Sequence, residues 1–175
     1  MRLITISDIE RWKSNTIDTA IKFGYNRSIL NSINTSIEIR VSEIIHDKLN
    51  LFGYCLFYKN RILLIVYSRN LSSNGLHYAM DCLRNACFST DELIIIFRTL
   101  SYLKSEEFFE LYNQSCMDHE IIGHIYNNRA NKRYDEISSR ETQFIFASKR
   151  AELMGKRLWK KSYKILPILL GCKKI

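Results

Sequence analysis

A single proline, Pro167, and six glycines punctuate 175 residues, so little in this chain interrupts a long helix. That scarcity weighs against a loop-rich or multi-domain design. With 46% hydrophobic and 25% charged residues, the chain has the apolar mass for one packed core. No apolar run is long enough to span a membrane, and the N-terminal MRLITISDIERW lacks the apolar stretch of a signal peptide. Five cysteines, an odd number with no C-x-x-C pair, read as buried hydrophobes kept reduced. The expectation is a soluble protein of the cytoplasm.

Local patterns give an α+β order: a helix, a small antiparallel sheet, then helices. Ser7-x-x-Glu10 has the form of a capping box for a helix ending near Gly24 and Asn26. Ile37, Ile39 and Val41 alternate as in a half-buried strand, and residues 51–68 form two β-rich runs around Lys59–Asn60, a hairpin. LHYAMDCLRNAC reads as a short helix, and Ser89-x-x-Glu92 is a second capping box. Helix resumes after Ser105 and continues through SCMDHEIIGHIYNN. After a polar connection, a long helix is expected from about Ser139 towards Lys161, with Pro167 ending regular structure.

The charge is segregated. Residues 148–175 hold nine Lys/Arg against Glu152 alone, which accounts for the net charge of +8. The division expected is a globular core over 1–147 and a continuous basic helix or tail over 148–175. In that tail Lys156, Arg157, Trp159, Lys160, Lys161 and Lys164 interleave cations with an aromatic ring. Three uses fit: binding nucleic acid, lying on an anionic membrane surface, or docking an apolar side on the core with the lysines solvated.

The densest chemistry lies in DHEIIGH, Asp118 to His124. In H-E-x-x-H both histidines share one helical face and bind zinc, while the glutamate acts as general base. Here the spacing is i, i+5, which on a regular α-helix puts His119 and His124 about 140° apart. A π-bulge near Ile121–Gly123 would restore one face. On an undistorted helix the residues are a solvated face, with Glu120 and His124 a plain i, i+4 pair.

HEIIGH resembles the H-E-x-x-G-H motif of the dipeptidyl-peptidase III family of zinc peptidases. The length is closer to a short glutamate-zincin, or gluzincin. That resemblance implies zinc as cofactor, His119 and His124 as ligands, Glu120 as general base and a peptide or protein substrate. It also implies a third ligand from a glutamate on the next helix, for which Glu141 is the first choice, with Glu152 and Glu136 behind it. Tyr126 and Tyr134 are nearby hydroxyls for an oxyanion. The alternative is a small basic nucleic-acid-binding or regulatory protein without catalysis.

Other groupings carry less. Cys82, Cys87, Cys116 and His119 are loosely spaced for a structural zinc site. Cys116 with His119 is a nucleophile–base pair only if i, i+3 neighbours can align. His46 and His77 are isolated.

Overall fold

The computed structural model describes residues 2–43, 52–84 and 89–170, with side chains omitted at 83, 84 and 170. His46, Cys87 and Cys172 lie outside these residues, so the four-residue cysteine–histidine grouping is not described as a whole.

Helix α1 (Ile6–Lys22) begins two residues earlier than Ser7 suggests. The capping box is Thr5 with Asp8, whose side chains close reciprocally on each other's backbone amides. Asn26 caps α2 (Arg27–Ser36), an element the sequence patterns did not reveal. Strand β1 (Ile37–Ser42) follows directly. The hairpin forms as expected from β2 (Gly53–Phe57) and β3 (Ile62–Tyr67), closed where the Tyr58 amide donates to the Arg61 carbonyl at 2.9 Å.

The sheet order is β1-β3-β2. β2 pairs antiparallel with β3, but β1 pairs parallel with it, Ile37 opposite Ile62 through Ser42 opposite Tyr67. The α+β class holds, and the sheet is mixed where an antiparallel one was expected. Alternation of side chains reports that a strand is half-buried and carries no information on its direction of pairing.

Helices α3 (Gly75–Arg84), α4 (Thr90–Leu100) and α5 (Ser105–Asp118) follow, with α4 capped by the Ser89–Glu92 box. From His119 to Tyr126 the bonding changes register into a π segment, π1, before a last α-helical turn, α6 (Asn127–Arg129). Helix α7 (Glu136–Glu152) and helix α8 (Arg157–Leu170) replace the single long helix expected from Ser139 to Lys161. Pro167 lies inside α8 and does not end it. Burial of Tyr163, Leu166 and Leu169, each 0% exposed, anchors that helix on the core despite the missing amide donor. No helix among the described residues is long and apolar enough to cross a membrane.

One buried polar cluster joins α1, α5, α7 and α8. Asp118 accepts from Arg150 Nε and Nη2 at 2.7 Å each, from the Tyr163 hydroxyl at 2.6 Å and from Thr16 Oγ1 at 2.7 Å. These four hydrogen bonds, with a fifth from Gln114 Nε2 at 3.3 Å, satisfy a carboxylate that is fully buried. Arg150, counted by sequence within the basic tail, is therefore a core residue. The carboxylate it fixes belongs to the residue immediately before His119.

Candidate metal centre

π1 spans HEIIGHIY, and its i→i+5 bonding returns His124 to the side of His119. Gly123 explains why this distortion is tolerated under α7. A Cβ at that position would meet the Ser139 carbonyl oxygen at 2.8 Å, and the Ser139 hydroxyl donates to the Gly123 carbonyl at 2.9 Å. Glycine lets the two backbones touch. The expected distortion near Ile121–Gly123 is present, and it extends over the whole of the motif.

The two Nε2 atoms stand 3.0 Å apart. Their partners on the far side of each ring fix the tautomers. Gln143 is buried and spends its Nε2 on the Ser115 carbonyl and hydroxyl, at 2.9 and 3.1 Å. Its Oε1 therefore faces His119 Nδ1, 3.2 Å away, and the ring nitrogen donates. His124 Nδ1 donates to the Tyr134 carbonyl at 2.8 Å, with the Ser139 hydroxyl at 3.0 Å. Both protons are thus held at Nδ1, which leaves the Nε2 lone pairs converging on one point. Two lone pairs so placed repel unless a proton or a metal ion lies between them.

Glu136 completes the arrangement. Its Oε2 lies 3.5 Å from His124 Nε2 and its Oε1 lies 3.8 Å from His119 Nε2. As the first residue of α7, with Asp135 as cap, it occupies the helix end whose dipole favours an anion. Arg140 Nε also donates to Glu136 Oε1, at 3.1 Å. Where the imidazoles carry a proton at Nε2, their hydrogen bonds hold the Glu136 carboxyl far below the usual carboxylate range, against a smaller opposing effect of burial. Burial would lower the pKa of His124, but its bond to Glu136 and the charge of Glu120 outweigh this and raise it.

His119, His124 and Glu136 offer three ligand atoms within 4.8 Å of one another, a group that can hold a metal ion. Two imidazoles and one carboxylate, with outer partners on each imidazole, are the ligand types found together in three-ligand zinc sites. Hard cations such as magnesium or calcium prefer all-oxygen sets.

Glu141, the first choice for third ligand, is exposed on α7 and takes no part in this group. Helix α7 starts at Glu136, and the face that carries Glu136, Ser139 and Gln143 is the one turned to the histidines. Five helical residues rotate Glu141 about 140° away. Glu152 is paired instead with Lys160 and, at 2.7 Å, with Lys164. Sequence reasoning placed Glu136 in the preceding connection, and Asp135 as an N-cap residue was the signal that could have moved the helix start.

Glu120 is buried beside the histidines and accepts from the Cys55 thiol at 3.1 Å. Burial and the Glu120 charge push the Cys55 thiol well above its ordinary pKa. All of these groups open onto one cleft of about 280 Å³, lined by β2 and by Phe52, Cys116, His119, Glu120, His124 and Glu136. Cys116 is 1% exposed and its thiol is raised well above its ordinary pKa by burial, which makes it a poor nucleophile. Cys82 joins no metal-holding group among the described residues. Tyr126 turns away from the cleft, its hydroxyl accepting from the Asn26 amide at 3.1 Å. Tyr134 stacks against Phe57 with ring centroids 5.4 Å apart.

The cations of α8 are partly committed. Lys156 reaches Glu107 at 3.5 Å, Trp159 Nε1 donates to the same carboxylate at 3.0 Å, and Lys160 and Lys164 share Glu152. Arg157 and Lys161 are exposed. The helix docks its apolar side on the core with these side chains at the surface.

Comparison with protein-family models, with curated proteins and with solved structures gives no match for this chain.

Proposed function

We propose that this chain is a zinc-dependent hydrolase of peptide bonds, with His119, His124 and Glu136 as ligands and Glu120 as general base. The observation that carries the reading is the convergence of two imidazole Nε2 atoms and a carboxylate in the lining of a cleft that also contains a buried glutamate. Zinc held there would supply Lewis acidity and would lower the pKa of a bound water to about 7.

The remaining work belongs to the protein's own side chains. Gln143 and the Tyr134 carbonyl orient the imidazoles so that no rotamer freedom is lost on binding. The Cys55 thiol holds the Glu120 carboxylate in place, leaving its other oxygen to take a proton from water and pass it to the leaving amine. The Asp118–Arg150 pair stiffens the helix immediately ahead of the motif.

Metal analysis of untagged protein tests the reading. About one zinc per chain, lost in His119→Ala and His124→Ala, is expected. Zinc-supplemented protein that retains no metal would end it, as would bound zinc without hydrolysis of any peptide in a broad mixture.

A further inference from the structure

The metal-holding group supplies only part of the cleft lining, and the wall next to it differs in kind. It consists of Phe52 and the edge strand β2, with Tyr54, Cys55 and Phe57 among the lining residues. Among the described residues, no lysine, arginine or side-chain amide lines the cleft. Tyr54 and Phe57 remain 42% and 37% exposed, and the Phe57 ring packs against that of Tyr134. Large rings half in water at the rim of a polar floor gain by covering an apolar ligand. A charged group entering the same space would shed water and find no opposite charge among the described residues of this wall.

Size narrows the occupant. The cleft volume of about 280 Å³ lies at the small end of the roughly 300–1,000 Å³ typical of ligand sites. It holds one large side chain with its peptide group, not an extended run of residues.

We infer that the β2 wall is a specificity pocket for a single large apolar or aromatic side chain of a peptide, with Phe57 as its specificity-determining residue. What the pocket presents its peptide to rests on the hydrolase reading above. The preference itself is a property of the wall and is measurable without turnover.

The test uses the full-length chain carrying Glu120→Gln, loaded with zinc, and end-blocked fluorescent hexapeptides that differ only at the central residue. Phe and Leu peptides are expected to bind at least about tenfold more tightly than the Gly, Asp and Lys peptides. Adding Phe57→Ala, at a half-exposed edge position, should bring the Phe-to-Gly ratio close to one while zinc content stays the same. Adding Phe57→Lys should shift preference towards the Asp peptide. Equal affinities, no detectable binding, or a ratio that survives Phe57→Ala overturns the inference. An apolar ranking in protein whose unsubstituted form cleaves nothing supports the pocket and removes the hydrolase reading. Cleavage without any ranking does the reverse.

Discussion

His119 Nε2 and His124 Nε2 stand 3.0 Å apart although the residues are five positions apart, because the whole of HEIIGHIY is wound as a π segment. The contact depends on three neighbours on α7: Ser139 against Gly123, Gln143 behind His119 and Glu136 in front of both rings. The metal-holding group is thus a property of a pair of helices.

Glu136→Gln should weaken zinc binding beyond the roughly 10–100-fold that outer-shell losses cost. Glu141→Gln should leave it unchanged, since that residue is exposed and away from the rings. Competition with a chromophoric chelator measures both.

Glu120→Gln should retain zinc and lose about 10²–10⁴-fold in hydrolysis, the range expected for removing a general base. Paired zinc content and peptide turnover on one preparation check this. Unchanged turnover would show that Glu120 is not the base.

Gly123→Ala brings a Cβ to 2.8 Å from the Ser139 carbonyl oxygen, so α7 must retreat or the π segment must rewind. A loss of about 1–3 kcal/mol in urea unfolding is expected, typical of forced overpacking. Zinc affinity should fall with it, because Ser139 and Gln143 move together with α7.

Arg150→Ala leaves Asp118 buried without its cation. The side chains are 5% and 0% exposed, so solvent cannot compensate, and a loss of about 3–5 kcal/mol is expected. The double replacement Asp118→Leu with Arg150→Met should recover part of it, as denaturant unfolding of the three variants will show.

Glu110 accepts from Arg11 Nη1 and Nη2 at 2.7 and 3.0 Å and from Trp12 Nε1 at 3.0 Å. Burial works against its charged form, but these bonds prevail and lower its pKa. A carboxyl depressed in the folded state stabilises above its unfolded pKa of about 4.3 and loses that contribution as pH falls towards the folded value. Stability should therefore decline below about pH 4.3, and Glu110→Gln should flatten the decline in thermal melts taken across that range.

Much of the local structure was written in short-range chemistry. The Ser89–Glu92 box caps α4, the Lys59–Asn60 hairpin closes, and the one-residue insertion in HEIIGH requires the distortion that π1 supplies. These outcomes follow from neighbours a few residues apart, where backbone geometry and capping decide. Three matters lay beyond that range. β1 joins β3 in parallel, a choice that side-chain alternation does not encode. Pro167 stays inside α8 because burial of Tyr163, Leu166 and Leu169 outweighs a missing hydrogen bond. Most tellingly, Glu136 and not Glu141 meets the histidines, since where a helix begins fixes which of its faces looks across. The sequence by itself determined that His119 and His124 need a distorted helix to act together. Only the packing of α7 over Gly123 decided which carboxylate stands with them, because that choice depends on the angular phase of one helix against another.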